Sequence, residues 1–183
     1  VQEKDDLGWL PIHVACGNQA PLEVIEFLQK KFPDSVSKKD KNELLLLHIA
    51  CANQAPLSVV EFLVTTFPNA IHDRGNYQLL PLHFACANKA PLDVVVFLVT
   101  TFPDSIHDKD QYGQTPLSFA RGWGAPLEVV KFLEESCHDI CWISEKVIPG
   151  TVFKFAFNGW ATELELVGTL FTNSVGMSAP RPL

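Results

Sequence analysis

Three histidines in this sequence are each followed, three residues later, by a cysteine, and this spacing could serve metal binding. Residues three apart share one face of a helix, so each pair could offer two zinc ligands. The pairs are His13 and Cys16, His48 and Cys51, and His83 and Cys86. A structural zinc ion needs four ligands, and successive pairs lie 35 residues apart. We therefore predict a structural role for these residues, with no metal ion and no cofactor.

The histidines belong to a stretch that recurs four times with a fixed period of 35 residues. Residues 80–98 match residues 45–63, 10–28 and 115–133, although Ser118 replaces the histidine in the last copy. The matching alanines are Ala15, Ala50, Ala85 and Ala120, and the matching prolines are Pro21, Pro56, Pro91 and Pro126. A period of this length is typical of stacked units, each too small to form a core alone.

The repeat also indicates how the cysteines are used. Equivalent atoms in stacked units lie about one helix-packing distance apart, roughly 8–10 Å, whereas disulfide-bonded Cα atoms lie within about 7 Å of each other. Cys16, Cys51 and Cys86 occupy equivalent positions, so we expect free, buried thiols. Free thiols are typical of a reducing compartment, and we expect an intracellular, cytoplasmic protein.

Two other groups of potential metal ligands are weaker candidates. Cys137, His138 and Cys141 lie within five residues of one another, but Cys137 falls where the preceding copy has an aromatic residue, which favours a packing role. His72 and His107 are each followed by Asp and lie one period apart, too far to share an ion. We expect them to be solvent-exposed.

Each unit carries the signals of two short helices and a connection. Proline is favoured at the first helical position, and Pro11, Pro81 and Pro116 mark the first helix. Asn should end that helix in a left-handed cap, and a second Pro should open the second helix. Phe-Pro then stops the second helix, because the residue before Pro disfavours the helical conformation. The polar remainder, such as 104–113, should project as a hairpin-like finger. The expected caps are Asn18, Asn53 and Asn88, and the stopping prolines are Pro33, Pro68 and Pro103.

With these features the sequence resembles the ankyrin-repeat family. The family's Gly-x-Thr-Pro-Leu-His-x-Ala signature is matched by Gly-Gln-Thr-Pro-Leu-Ser-Phe-Ala at residues 113–120 and by Gly-Trp-Leu-Pro-Ile-His-Val-Ala at residues 8–15. Its Leu-Glu-Val-Val-x-x-Leu helix is matched at residues 127–133. The period of 35 departs from about 33 in the family. The resemblance covers residues 1 to about 139 and implies an all-α solenoid of stacked helix-turn-helix units, in which the repeated histidine bonds neighbouring backbone.

The repeat register divides the chain. Units are expected at about 7–41, 42–76, 77–111 and 112–139, and residues 1–6 align with the closing end of a unit. We therefore expect at least one more unit upstream. The fourth unit is irregular, since Ser118 replaces His and Gly-Trp-Gly at 122–124 replaces the usual turn. It is either a cap with a polar outer face or a decayed copy.

Residues 140–171 do not continue the repeat. Asn158-Gly159 lies between two segments of alternating polarity, which is a strong signal for a β-hairpin. We predict a small hairpin over 152–166; a helix over 160–171, or disorder, is the alternative. Residues 172–183 are expected to form a flexible tail.

Composition limits the classes of function. The net charge of −7 argues against a nucleic-acid partner, which needs clustered Lys and Arg; the acidic balance fits either a solubilising surface or a basic partner. No apolar run approaches the roughly 18–20 residues of a membrane span. No phosphate loop, nucleophile elbow or paired-histidine zinc motif is present. We expect no catalysis and no small-molecule substrate.

The family resemblance implies that another protein binds the concave surface, meaning the surface formed by the fingers and the first helices. The matching positions vary from unit to unit, as a partner-specific surface would, and exposed Trp and Tyr often dominate binding. The first finger position holds Leu7, Asn42, Tyr77 and Tyr112, and the second holds Trp9, Leu44, Leu79 and Gln114. The helix-end position holds Trp123 after three asparagines.

Three alternatives remain open at this point. Trp9, Leu44 and Leu79 could instead pack between adjacent fingers. The repeats could be the regulatory or targeting arm of a larger enzyme. They could also be a structural spacer that binds nothing on this surface.

Overall fold

The fold is built from paired α-helices. A computed structural model describes residues 4–6 and 8–144, and it describes side chains as far as residue 137. The first helices of the four units are α1 Pro11–Gly17, α3 Leu46–Ala52, α5 Pro81–Ala87 and α7 Pro116–Trp123. The second helices are α2 Leu22–Lys31, α4 Leu57–Thr66, α6 Leu92–Thr101 and α8 Leu127–Ser144. No strand occurs in these residues, and the prediction of an all-α repeat solenoid is confirmed. The hairpin, helix and tail predicted beyond residue 144 lie outside the described residues.

The helices form two rows. The first helices pack on one another in chain order, as do the second helices, and each first helix also packs on the second helix of its own unit. Helix α3 has neighbours on both sides and is buried from Leu46 to Cys51. The core consists of small and branched apolar side chains, and Ala50, Ala85 and Ala120 are fully buried where first helices approach each other.

Proline sets the helix starts largely as predicted. Helices α1, α5 and α7 each begin with Pro at the first position, where its missing N–H has no partner to lose. The second helices begin one residue later than expected, so that Pro21 and its equivalents hold the N-cap position with extended ψ. This shift of one residue does not alter the packing.

The asparagines end the first helices, but the prediction that they are left-handed is wrong. Asn18 has φ −98°, and its Nδ2 donates to the Val14 carbonyl over 2.9 Å; Asn53 and Asn88 make the equivalent bonds. The side chain therefore adds a second hydrogen bond to a carbonyl that already accepts from the asparagine's own backbone N–H. The left-handed residue is the next one along, with φ between 54° and 59° at Gln19, Gln54 and Lys89.

Phe-Pro stops the second helices as predicted, yet the polar finger does not begin there. Short 3₁₀ helices follow at Pro33–Ser37, Pro68–His72 and Pro103–His107. Their middle residues, such as Ser105 and Ile106, are buried, so the first half of each connection belongs to the core. His72 and His107 end two of these helices and are exposed.

The fingers are correspondingly shorter than predicted. Each is closed by one backbone hydrogen bond across five residues, with N···O distances of 2.9–3.0 Å. The pairs are Asp40 to Leu44, Gly75 to Leu79 and Asp110 to Gln114, and a fourth joins Asp5 to Trp9. They are hairpin-like turns without a strand ladder.

Helix α8 departs from the repeat. It continues to Ser144, past the predicted end of the array at residue 139, because Cys137-His138 stands where the other units have Phe-Pro. The start of the fourth unit is altered as well. Ser118 replaces the histidine, and the Thr115 hydroxyl caps α7 by accepting from the Ser118 N–H over 3.3 Å.

The repeated histidines join each first helix to the connection that follows the second helix. In the first unit, His13 Nδ1 accepts from the Leu10 N–H at 3.0 Å, and Nε2 lies 3.2 Å from the Lys38 carbonyl oxygen. Because Nδ1 is the acceptor, the proton is on Nε2, which donates to that carbonyl. His48 repeats the arrangement with Leu45 and Asp73.

His83 makes only half of this arrangement. Its Nδ1 accepts from the Leu80 N–H at 3.2 Å. Its buried Nε2 has no acceptor in hydrogen-bond geometry within the described part of the chain, although the Gln114 and Asp108 carbonyls are close enough to oppose the lowering of its pKa. The connection after the third unit is therefore held less directly.

Burial keeps these imidazoles neutral. Desolvation lowers the pKa of His13 and His83 and lowers the pKa of His48 to about 4, from an ordinary 6.5. A proton on Nδ1 would also break the hydrogen bond that Nδ1 accepts from the backbone N–H. The folded state thus binds fewer protons than the unfolded state at mildly acidic pH, and stability falls as the pH falls.

We expect the free energy of unfolding to be greatest above pH 6.5 and to decrease between pH 6.5 and pH 4. His48 alone should contribute a loss of about 3 kcal/mol across that window. Urea unfolding at a series of pH values measures this. In His48→Gln the free energy of unfolding should be lower at every pH, and it should change less between pH 6.5 and pH 4. An unchanged slope would contradict the assignment.

Each finger has a left-handed residue at the same position. It is glycine in two fingers, Gly8 and Gly113, both with φ 78°, but Glu43 and Gln78 in the others, with φ 60° and 62°. The left-handed region costs a residue with a Cβ roughly 1–2 kcal/mol. The Glu43 finger therefore has avoidable strain.

Glu43→Gly should raise the free energy of unfolding by about 1 kcal/mol, since relief of strain exceeds the added freedom of the unfolded chain. The matched control is Gly113→Ala, where a Cβ meets no atom within 4 Å, so that only the cost of the left-handed backbone changes the stability. It should cost about 1 kcal/mol. Chemical denaturation of both variants tests the pair, and effects of the same sign would refute the explanation.

Candidate protein-binding surface

The predicted tyrosines lie together on the third and fourth fingers. The rings of Tyr77 and Tyr112 are stacked, with centroids 6.3 Å apart and planes inclined by 28°. Both side chains remain exposed, Tyr112 to 71%. Between these fingers the Gln111 N–H donates to the Tyr77 carbonyl over 3.0 Å, so the backbone holds the two rings side by side.

The backbone at Tyr77 is strained. Tyr77 has φ 60° and ψ 20°, and the following Gln78 is also left-handed. A tyrosine in this region costs about 1–3 kcal/mol unless its surroundings impose the conformation. Here the Asn76 carboxamide oxygen accepts from the Tyr77 N–H at 2.9 Å, which helps to hold the turn.

The third finger is supported differently from its neighbours. In the second and fourth fingers a buried aspartate closes the turn, since Asp40 Oδ1 accepts from the N–H groups of Asn42 and Leu44, and Asp110 Oδ1 does the same one finger further on. Gly75 stands at this position in the third finger. No carboxylate is available there.

Arg74 supports the third finger instead. Its Nη1 donates to the Gln78 carbonyl at 3.2 Å and to the Lys109 carbonyl at 3.3 Å, and its Nη2 lies 2.8 Å from Asp108 Oδ1. One guanidinium therefore holds the Tyr77 turn and ties it to the next connection. Lys39 and Asp73 form the equivalent ion pair one unit earlier, at 2.7 Å.

A cavity of about 230 Å³ lies between the third and fourth units. Leu79 contributes from the finger, while the first helices α5 and α7 contribute the rest. Its lining is mainly apolar and consists of Leu79, His83, Phe84, Ala87, Asn88, Phe119 and Trp123. Trp123 is 64% exposed at its edge.

Trp9 and Leu44 are used between neighbouring elements. Trp9 is half-buried, its Nε1 donates to Asp40 Oδ2 at 3.0 Å, and its ring lies so close to Gly17 that a Cβ there would be 2.9 Å from it. Leu44 lies equally tightly over Gly75. This is the arrangement expected if these two side chains pack between fingers and helices.

The other predicted residues are at the periphery. Asn42 and Gln114 are exposed, and their backbone N–H groups donate to the aspartates that close their fingers. Leu7 lies outside the described residues. Of the predicted residues, the structure pairs Tyr77 with Tyr112 and places Leu79 and Trp123 on the lining of one cavity.

Three residues of this surface were missed by the sequence reasoning. Phe84 and Phe119 line the cavity, and Arg74 holds the third finger. A signal for the phenylalanines was present, since the same helical position holds Val14 and Ile49 in the earlier units. The signal for Arg74 was the Gly75 that follows it.

The histidine–cysteine pairs show no metal-binding arrangement. No group of three potential metal ligands occurs in residues 4–6 and 8–137. Cys16, Cys51 and Cys86 are free and buried. Burial raises the pKa of Cys16 and Cys51 to about 12 and also raises that of Cys86, so the thiols stay protonated and unreactive.

The stacked helix pairs, with a finger before each, define a repeat solenoid. A family profile described as ankyrin repeats (three copies) matches residues 47–141, more than half of the chain. The chain belongs to the ankyrin-repeat family. Ankyrin repeats are generally protein–protein interaction modules and are typically non-catalytic. A search of the curated proteins found no significant match.

Within the part of the chain that the structure describes, no helix is long and apolar enough to cross a bilayer.

Arg74→Gln should loosen the third finger without unfolding the stack. Loss of the ion pair and its carbonyl bonds should speed hydrogen exchange of the Gln111 amide by roughly threefold to tenfold, because that amide bonds the Tyr77 carbonyl. The matched control is Arg121→Gln, which removes the exposed 2.7 Å pair with Glu134 and should leave the Gln111 rate unchanged. Equal rates in the two variants would exclude this role of Arg74.

Proposed function

We propose that this protein binds a partner protein through the fingers and first helices of its third and fourth units. Tyr77 and Tyr112 form one side of the contact, and Trp123 forms the other. The cavity between them receives one large apolar side chain of the partner. The outlying predicted residues, such as Asn42 and Gln114, form the polar rim.

The observation that carries the proposal is the apolar cavity lined by the exposed Trp123, in the two units whose fingers also carry the exposed Tyr77 and Tyr112. Trp and Tyr dominate binding energy at interfaces because they combine a large apolar area with a polar group. A partner side chain that enters the cavity would be removed from water. Each 100 Å² of apolar surface buried in this way contributes about 2.5 kcal/mol to the free energy of binding.

The strained turn at Tyr77 supports the same location. Backbone strain is most often retained where a side chain must be held for function. Arg74 and the Gln111 amide hold Tyr77 in place before a partner arrives. A preorganised ring loses little conformational entropy on binding.

Trp9 and Leu44 have a smaller part in this proposal. Their half-buried side chains are already engaged within the stack, so the binding energy is concentrated in the last two units. The buried free thiols fit an intracellular, reducing compartment, which is where we place the interaction.

The test selects ligands from a random-peptide phage library on the immobilised full chain and measures the Kd of the best peptide. Trp123→Ala and Tyr112→Ala should each raise the Kd at least about tenfold. Both side chains are largely exposed, so thermal unfolding should be unchanged. The control is Leu127→Ala, an equally exposed apolar residue on the row of second helices.

Peptides that share a large apolar residue, and whose affinity the control leaves intact, would support the proposal. Selected peptides that bind Trp123→Ala and Tyr112→Ala as tightly as the parent chain would refute it. So would an equal loss of affinity in Leu127→Ala.

A further inference from the structure

The fold brings the two tyrosines of the chain onto neighbouring fingers. The sequence contains two tyrosines, Tyr77 and Tyr112, at equivalent positions one repeat period apart. Their rings are stacked, with centroids 6.3 Å apart and planes inclined by 28°. Tyr77 is 50% exposed and Tyr112 is 71% exposed. A molecule in solution can therefore reach both rings, while each ring has the other as its neighbour.

The backbones that carry the two rings are fastened to each other. The Gln111 N–H donates to the Tyr77 carbonyl over 3.0 Å. On the fourth finger, the Tyr112 N–H donates to the buried Asp110 Oδ1 over 2.9 Å. Arg74 adds a second tie, because its guanidinium donates to carbonyls on both sides of the junction. Exposed side chains change rotamer within picoseconds to nanoseconds, so the two rings meet without movement of the backbone.

Two exposed phenols held side by side have a chemistry that a single phenol lacks. A one-electron oxidant converts a phenol to a phenoxyl radical, and two such radicals combine at the ring carbons ortho to the oxygen. The combination is slow when the radicals must find each other by diffusion. When both rings belong to one molecule and already face each other, the step is unimolecular and gains from proximity and orientation. The tyrosine pair thus favours coupling within one chain.

The buried thiols of the stack compete poorly for an oxidant in solution. Cys16, Cys51 and Cys86 are free and buried. Burial raises the pKa of each thiol, so that little of the reactive thiolate is present. Trp123 is 64% exposed, but oxidation of an indole adds oxygen to the ring and joins no units.

We propose that Tyr77 and Tyr112 form a modification site, at which a haem peroxidase using hydrogen peroxide couples the two rings into dityrosine. Each phenol gives one electron and its hydroxyl proton to the oxidant, and together they reduce one hydrogen peroxide to two waters. The two radical electrons pair in a carbon–carbon bond between the ortho carbons. Each ortho carbon then releases its proton and each oxygen takes one up, which restores both aromatic rings and both hydroxyls.

The product joins the third and fourth units covalently. The new bond closes a loop and restricts the unfolded chain, so the fourth unit should unfold together with the third. A carbon–carbon bond, unlike a disulfide, is not exchanged by thiols, and the cross-link persists in a reducing compartment. Coupling depends on the tyrosine pair alone and occurs whether or not a partner binds this surface.

The test treats the full chain with a haem peroxidase and hydrogen peroxide at several chain concentrations. Dityrosine is measured by its fluorescence and by mass spectrometry of a tryptic digest. The expected product is a monomer in which the peptides of Tyr77 and Tyr112 are joined, with the loss of one hydrogen from each ring. Its yield should not rise with chain concentration, because the coupling is intramolecular. Dithiothreitol added afterwards should leave the fluorescence unchanged.

The matched control moves one tyrosine without changing the number of tyrosines. The double variant Tyr77→Phe with Asn42→Tyr keeps two exposed tyrosines, since Asn42 is exposed at the equivalent position of the second finger, but it places them two units apart. Intramolecular dityrosine should fall at least about tenfold in this variant. Tyr112→Phe should abolish it. Circular dichroism should be the same in both variants as in the parent chain.

Equal intramolecular yields in the parent chain and the double variant would overturn the proposal. So would a parent chain that forms cross-linked dimers in place of cross-linked monomers, because the second tyrosine would then come from another copy. Oxidation confined to Trp123, with no dityrosine, would overturn it as well.

Discussion

The structure depends on one buried, neutral imidazole in each of the first three units. Nδ1 accepts the N–H that precedes the first helix, and in the first two units Nε2 donates to a carbonyl 25 residues further along. A single ring therefore joins the beginning of a unit to the connection that leaves it. Because that connection leads into the finger, the same ring determines where the finger stands. Desolvation makes the ring a neutral donor and acceptor, and a charged ring could not make both bonds.

Much of the fold could be predicted from the sequence because four copies of the repeat form the same structure, so that their aligned residues can be compared. The constant small residues Ala50, Ala85 and Ala120 are core, and Pro marked most helix boundaries. The missed features depend on local competition that a pattern does not display. Asn53 could have adopted the left-handed conformation itself. Its side chain donates to the Ile49 carbonyl instead, and the next residue, Gln54, is the left-handed one. The 3₁₀ helices form because they bury the apolar side chains of Ile71 and its equivalents in the core.

The candidate site was predictable as a set of positions, but not as a shape. Trp9 and Trp123 are the same residue type, yet Trp9 lies over Gly17 and bonds Asp40, while Trp123 stands exposed beside the cavity. What separates them is the space opposite each ring, and that space depends on residues in another unit. The binding roles of these residues stay predictions. Phe84 and Phe119 show the same dependence, because their larger rings, in place of Val and Ile, border the cavity.

The missing hydrogen bond of His83 has a consequence for cooperativity. Within the described residues, its buried Nε2 lacks the well-aligned carbonyl acceptor that His13 and His48 have, so we expect the connection after the third unit to be held less firmly than the two before it. In a chain of nearest-neighbour couplings, the weakest coupling decides where the chain divides into separately melting segments. We therefore expect the fourth unit to open first on heating. Any molecule that bridged Leu79 and Trp123 across this junction would couple that segment to the rest and make the stack unfold as one.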